Sequence, residues 1–230
     1  MSTNEASAED PAATESRRDL AVARGLDSAR LRAEGRVQTF LDAALELMNS
    51  NAGEFTVQEV VARSGQSLRT FYNYFAGKHE LLLALFEESI RSAASHLQEV
   101  IAEEDQPRER LRRFVLEYYR MCRLTPAEQS TKGPAPAMVE FAQQLLTSHP
   151  NEAARAFAPL VVMLEQLLID AAGVGAIRPG LDHRRIAGVV LQATMFNSFA
   201  ATISGSSSPG ADAEPETLWN LLLHGIGTAE

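Results

Sequence analysis

Two short helical segments separated by a single glycine constrain the fold of this chain more than any other feature. Thr56 and Glu59 form a capping box, in which a hydroxyl and a carboxylate each bond a free backbone N–H at the helix start. Gly65 breaks the pattern because glycine adopts left-handed backbone conformations without steric cost, and Ser67 caps the second segment. Helices this short are unstable alone, so the sequence predicts a compact helix-turn-helix unit packed against neighbouring helices.

The rest of the chain repeats apolar residues at three- and four-residue spacing, and alternating strand patterns are nearly absent. This pattern predicts an all-α fold, with polar connectors over about 124–136 and 204–215. We expect helices over about 28–50, 57–63, 68–74, 77–103, 107–121, 138–146, 154–172, 182–202 and 217–227. Residues 1–27 are polar and poor in large apolar side chains, which predicts a disordered tail. Its arginines are either a solvated mixed-charge surface or an arm that touches a minor groove.

The charge balance excludes a protein that binds nucleic acid through a basic surface over the whole chain. The chain has 30 acidic and 21 basic residues, a net charge of −9. Salt screens charges beyond roughly 8–10 Å, so a confined basic patch can still bind DNA. No run approaches the ~18 apolar residues of a membrane span, and the polar N-terminus lacks a secretory signal, so we expect a cytoplasmic protein with no membrane partner.

The sequence shows no catalytic constellation. His96, His149, His183 and His224 have no metal-ligand spacing, and no Ser/His/Asp or Cys/His order is readable. The single cysteine, Cys122, lies in an apolar helix and rules out an intrachain disulfide framework. We therefore expect no enzyme activity, no metal and no cofactor.

The segment Thr56–Phe86, TVQEVVARSGQSLRTFYNYFAGKHELLLALF, resembles the signature of the TetR family of transcriptional regulators. The shared features are the Thr-capped helix, the glycine turn, the serine that opens the recognition helix, the tyrosines near its end and the following lysine. The similarity covers about Arg36 to Ile90. The resemblance implies an N-terminal helix-turn-helix DNA-binding domain at 28–77 and a larger helical domain at 78–230 that binds a ligand and dimerises.

The resemblance also implies roles for eight residues in DNA binding. Phosphate contacts would come from Thr56, Tyr72, Tyr74 and Lys78, and major-groove contacts from Gln66, Ser67, Arg69 and Thr70. Arg69 is suited to bidentate contact with a guanine. Gln66 stands where the family usually has an apolar residue, so it reaches either DNA or solvent. Each residue also has a plainer interpretation as a helix cap, a core aromatic or a surface charge; their joint spacing favours DNA binding.

In the larger domain the resemblance implies an apolar ligand site and a dimer interface. The expected ligand-binding residues are Phe114, Tyr118, Met121, Met138, Phe141, Met163 and Phe196, although ordinary core packing explains each of them separately. The last two helices would pair with those of a second copy, giving a homodimer that binds a pseudo-palindromic operator in double-stranded DNA. We expect a repressor that a small hydrophobic effector releases from its operator. The alternatives are an activator of the same fold, or a helical small-molecule binder that has lost DNA binding.

Overall fold

The computed structural model describes residues 17–50, 55–122, 136–203 and 214–226. Within these ranges the chain is all α-helix, which confirms the predicted fold class. The helices are α1 Arg17–Ser50, α2 Val57–Ser64, α3 Leu68–Tyr72, α4 Lys78–Ile101, α5 Pro107–Cys122, α6 Pro136–Ser148, α7 Pro150–Gly173, α8 His183–Ile203 and α9 Glu214–Ile226.

The first three helices pack around a group of phenylalanines. Phe71 on α3 is fully buried, and its ring meets that of Phe40 on α1 edge-on at 5.4 Å between centroids. Phe75, just after α3, lies 5.5 Å from Phe71 and 6.1 Å from Phe40. Edge-to-face pairs add roughly 0.5–1.5 kcal/mol each beyond the burial of their area. These contacts fix the short helix α3 against α1.

The larger unit is built around α4, α5, α7 and α8. Helix α7 packs against the other three, α6 lies against α4 and α7, and α9 lies against α5. The buried residues form one cluster that runs from α1 through α4 into α7 and α8. Helix α4 therefore belongs to both units, since it also contacts α1.

The start of α1 differs from the expected disordered tail over residues 1–27. The helix begins at Arg17, so the expectation of disorder is wrong for residues 17–27, while residues 1–16 lie outside the described residues. Alanine, leucine and arginine dominate this stretch, and all three are strong helix formers. The segment projects from the body, as Leu26 is 66% and Leu31 68% exposed.

Helix α7 begins at Pro150, earlier than expected, because proline is favoured in the first turn, where its missing N–H leaves no bond unmade. Helix α3 ends at Tyr72 rather than at Tyr74. Most residues of the predicted connectors at 124–136 and 204–215 lie outside the described residues.

By length and composition α7 could cross a membrane, but its contacts with α4, α5 and α8 are those of a core helix.

Candidate DNA interface

The turn between α2 and α3 depends on Gly65. This residue has φ 64° and ψ 16°, in the left-handed region, and its N–H donates to the carbonyl of Ala62 at 3.4 Å. A residue with a Cβ would be strained here, so the sequence signal for a glycine turn reflects a real backbone requirement. After the turn, α3 has a buried side at Phe71 and an exposed side at Arg69 and Tyr72.

The predicted capping box at the start of α2 is present. The Thr56 N–H and hydroxyl both donate to Oε2 of Glu59, at 2.7 and 2.8 Å, and the Glu59 N–H donates back to the hydroxyl at 3.3 Å. The hydrogen bond from the Thr56 backbone lowers the pKa of Glu59 below its usual value. A carboxylate therefore already lies at this helix N-terminus. A phosphate could still approach the N–H groups of Val57 and Gln58, the first two of the helix.

The start of α3 is held by its own side chains. The Ser67 hydroxyl accepts from the Thr70 N–H at 3.0 Å, and the two hydroxyls lie 2.8 Å apart. Ser67 is exposed and Thr70 half-buried. Both predicted major-groove residues are thus preorganised at the helix start, and each hydroxyl oxygen retains bonding capacity for a base edge.

The outward side of α3 carries Arg69 and Tyr72. Both are exposed, Tyr72 by 55%. Within the part of the chain that the structure describes, the Arg69 guanidinium has no hydrogen-bond or ion-pair partner, so its five donors face solvent. The Tyr72 ring rests edge-on against Phe71 at 5.4 Å, which orients its hydroxyl end. Gln66, in the turn, is half-buried.

Lys78 makes an intramolecular contact that sequence analysis does not foresee. Its ammonium donates to the carbonyl of Phe55 at 2.6 Å and lies 4.3 Å from the centroid of the Phe55 ring. The side chain therefore ties the start of α4 to the residue before the Thr56 cap. A phosphate contact through Lys78 would have to share the ammonium with this carbonyl.

Tyr74 lies apart from the outward side of α3. It is half-buried and lines a cleft of about 410 Å³ between α1 and α4, together with Val37, Leu41 and Ala84. This position supports the core interpretation of Tyr74 more than a phosphate contact.

The expected ligand-binding residues are mostly packed core. Phe114, Tyr118, Met138 and Phe141 are buried, and Met121 and Met163 are half-buried. Phe196 is 47% exposed, which does not fit the expected enclosed site. A cavity of about 340 Å³ lies elsewhere, between the end of α6, α7 and α8. None of the seven residues lines it; its lining includes Leu146, Phe157, Val161, Gly188, Leu191 and Met195.

The structure also brings His79 together with His149 and Glu152, which lie three residues apart in sequence. Nε2 of His79, at the start of α4, lies 2.8 Å from Oε2 of Glu152 in the first turn of α7. The ring of His149 lies 4.6 Å from that of His79, between centroids. The three-residue spacing of His149 and Glu152 is a local signal, but nothing in the sequence indicates that His79 joins them, because it lies 73 residues before Glu152.

Comparison with known proteins supports the resemblance. Residues 40–85 match the sequence model of the bacterial regulatory proteins of the tetR family, so this segment is similar to the N-terminal domain of those proteins. The match contains α2, α3 and the turn between them. No curated protein matches the chain in sequence.

Solved structures share the fold over most of the chain. A TetR-family transcriptional regulator from Pectobacterium atrosepticum has 19% identity and a TM-score of 0.67, with 87% of this chain and 98% of that one covered. The fatty acid degradation regulator FadR from Bacillus halodurans has 17% identity and a TM-score of 0.62, covering 83% and 95%. FadR from Bacillus subtilis, solved in complex with stearoyl-CoA, has 19% identity and a TM-score of 0.58, covering 82% and 98%.

Proposed function

We propose that this chain is a sequence-specific transcriptional repressor of the TetR type, released from its operator by a small hydrophobic ligand. The observation that carries the proposal is the two-sided character of α3. Phe71 fixes its inner side in the core, while Ser67, Arg69 and Tyr72 face outward with free bonding capacity. In this proposal residues 28–77 form the DNA-binding domain and residues 78–230 the ligand-binding and dimerisation domain.

The DNA test begins with selection of bound sequences from random duplexes, followed by fluorescence polarisation on the selected operator. We expect Arg69→Ala to weaken binding by about 1–3 kcal/mol and to relax the preference at one base pair. Arg120→Ala removes the same charge from an exposed arginine on α5 and should bind like the parent chain. If selection recovers no sequence, the chain is instead a helical ligand binder that has lost DNA binding.

A second variant tests the phosphate contacts. We expect Lys78→Ala to weaken binding to all sequences alike and to reduce the salt slope by about 1, the contribution of one phosphate. Lys78→Arg keeps the charge and serves as its control. An unchanged salt slope in Lys78→Ala would assign the ammonium to the Phe55 carbonyl alone.

The proposed dimer interface is the outer face of α7 and α8. Val162 and Ile169 on α7 are 54% and 44% exposed, and Val189 and Phe196 on α8 are 59% and 47% exposed. Each pair is seven residues apart, so each pair lies on one side of its helix. Two such faces can pack as a four-helix bundle, which also accounts for the exposure of Phe196.

Helix α9 has a different partner from the one expected for a dimer helix. Trp219 is buried, and Glu216 accepts a hydrogen bond from Arg112 of α5 at 2.6 Å, so α9 packs within its own chain. The dimer proposal therefore replaces the last two helices with α7 and α8. Sedimentation should show Val162→Glu as a monomer. Val22→Glu, at a position with the same 54% exposure on α1, should remain a dimer.

We propose the cavity between α7 and α8 as the ligand site in place of the expected core residues. Its volume of about 340 Å³ lies within the roughly 300–1,000 Å³ of small-molecule sites. Its lining is largely apolar, with Arg184 and Gln192 supplying polar groups. This chemistry suits an amphipathic ligand with an apolar chain, and the stearoyl-CoA bound to the Bacillus subtilis FadR supports an acyl thioester as the first probe.

Release would follow from a shift of α4, which contacts both α1 and α7. The ligand can cause this shift only by binding one conformation more tightly than the other. We expect stearoyl-CoA to lower operator affinity in the parent chain. Ala158→Phe, which places a ring in the cavity, should abolish the response and leave operator affinity unchanged. A promoter reporter assay distinguishes repression from activation.

A further inference from the structure

The cluster of His79, His149 and Glu152 joins the start of α4 to the start of α7. His79 is the second residue of α4, and Glu152 lies in the first turn of α7. His149 is the N-cap of α7, directly after the end of α6. The cluster thus lies where α4 leaves the DNA-binding unit and meets the larger unit.

We infer that His79, His149 and Glu152 form a binding site for a divalent transition-metal ion, of which Zn²⁺ is the best-suited common example. Imidazole nitrogens and a carboxylate oxygen are ligands that Zn²⁺ prefers, and two histidines with one glutamate are a known three-ligand set that leaves a position for water. The inference concerns ion binding and does not depend on the proposed DNA function.

The distances fit such a site after small side-chain rotations. One ligand atom from each of the three residues lies within 4.8 Å of the others. Oε2 of Glu152 is 2.8 Å from Nε2 of His79 and 4.0 Å from Nδ1 of His149. Ligand atoms bound tetrahedrally at about 2.0–2.2 Å lie roughly 3.3 Å apart, between these two distances. The side chains are 44%, 42% and 34% exposed for His79, His149 and Glu152, so ions and water can enter.

The backbone and packing around the cluster hold two of the ligands in place. The His149 N–H donates to the Leu145 carbonyl at 2.8 Å, and its own carbonyl accepts from the Glu152 N–H at 3.0 Å. Pro150 further restricts the chain after His149. The His79 ring lies 5.7 Å from that of Phe141, which supports it from the α6 side.

Two features around the cluster disfavour a bound cation and limit how tightly the site can bind it. The positive ends of the α4 and α7 dipoles both lie at the cluster, and the charge of Arg155 acts on Glu152. The Glu152 carboxylate, which accepts a hydrogen bond from His79, offsets both. An ion bound there replaces this hydrogen bond with two metal–ligand bonds, and it connects α4 directly to α7.

A second histidine–glutamate pair provides a matched control. Nε2 of His96 lies 3.0 Å from Oε1 of Glu117 and also links α4 to a neighbouring helix, and His96 is 48% exposed. Among the residues that the structure describes, no third histidine, cysteine or carboxylate is grouped with this pair as a possible metal ligand. His96→Ala therefore removes an equally exposed imidazole without touching the proposed site.

The experiment titrates Zn²⁺ into the full chain, without an affinity tag and at a pH where imidazole is neutral, by calorimetry against a competing chelator. We expect one Zn²⁺ per chain. His79→Ala and His149→Ala should each weaken Zn²⁺ binding by about 100-fold. Removing a residue that only supports a metal ligand costs about 10–100-fold in affinity, and removing a ligand itself should cost at least as much as the upper end of that range. His96→Ala should bind within threefold of the parent chain. His149→Gln, which keeps a polar side chain, should behave like His149→Ala.

Thermal unfolding gives an independent readout. Zn²⁺ at about a hundred times its dissociation constant should raise the midpoint by roughly 5–10 °C in the parent chain and in His96→Ala. In His149→Ala the same concentration equals about one dissociation constant, so the midpoint should rise by only roughly 1–2 °C. If His79→Ala and His149→Ala bind Zn²⁺ within threefold of the parent chain, the three residues are only hydrogen-bonded neighbours and the inference is overturned.

Discussion

Replacing Gly65 with alanine tests whether the turn between α2 and α3 depends on backbone conformation alone. A Cβ at this position would meet no atom within 4 Å, so no steric clash contributes. The φ of +64° would cost alanine about 1–2 kcal/mol. Against this, alanine lowers the entropy of the unfolded chain and gains about 0.4–1 kcal/mol. We expect Gly65→Ala to reduce the free energy of unfolding by about 1 kcal/mol.

Gly188 offers a control with the opposite sign. It lies inside α8, and a Cβ there also meets nothing within 4 Å. Because its backbone is helical, Gly188→Ala should stabilise the chain by about 0.5–1 kcal/mol. Both substitutions lower the entropy of the unfolded chain in the same way. The difference between their changes in the free energy of unfolding therefore measures the cost of the left-handed backbone at residue 65.

Equilibrium unfolding in urea measures both variants. The midpoint of Gly65→Ala should fall and that of Gly188→Ala should rise, each with an unchanged slope. If Gly65→Ala unfolds at the same urea concentration as Gly188→Ala, or at a higher one, backbone strain does not explain the glycine in the turn. Circular dichroism of both folded variants should show the helix content of the parent chain.

Three further outcomes follow from contacts in the structure. Phe71→Ala, which empties a fully buried position between Phe40 and Phe75, should destabilise the chain by about 3–5 kcal/mol in the same urea assay, and a loss below 1 kcal/mol would contradict the packing. Glu59 has a lowered pKa in the folded chain, so its contribution to stability is present above its ordinary pKa and disappears as the pH falls through the lowered value. Glu59→Gln should therefore flatten the acid side of the stability–pH curve, and an unchanged curve would refute this. Burial raises the pKa of Cys122 to about 12, so a thiol reagent at pH 8 should label it only after denaturant is added; rapid labelling of the native chain would show that the thiol is accessible.

The local features of the DNA-binding unit could be predicted from the sequence. Capping and glycine turns depend on residues only a few positions apart, so Thr56, Gly65 and Ser67 occupy the expected positions. The outward exposure of Arg69 and the burial of Phe71 also follow from the period of one short helix. The start of α1 is the exception, because the polar composition of residues 17–27 predicts disorder while the helix propensity of their alanine, leucine and arginine residues favours a helix.

The long-range features could not be predicted in this way. Lys78 meets the carbonyl of Phe55, and His79 meets Glu152, only because the helices pack at particular angles. An apolar period shows that a side chain is buried, but not whether it faces a cavity or a neighbouring helix. For this reason the sequence predicts a ligand contact at Phe114, which is fully packed, and at Phe196, which lies on the surface.

The interlocked rings of Phe40, Phe71 and Phe75 have a consequence for how a signal can reach α3, the helix proposed to read the operator. A close-packed core changes between discrete arrangements and does not deform gradually. Helix α3 should therefore keep its shape and move only together with α1, as one rigid unit. Hydrogen exchange should then show that the amides of α3 exchange only when the whole unit of α1 and α3 unfolds. In the proposed dimer, control of DNA binding would then depend on the distance and angle between the two DNA-binding units.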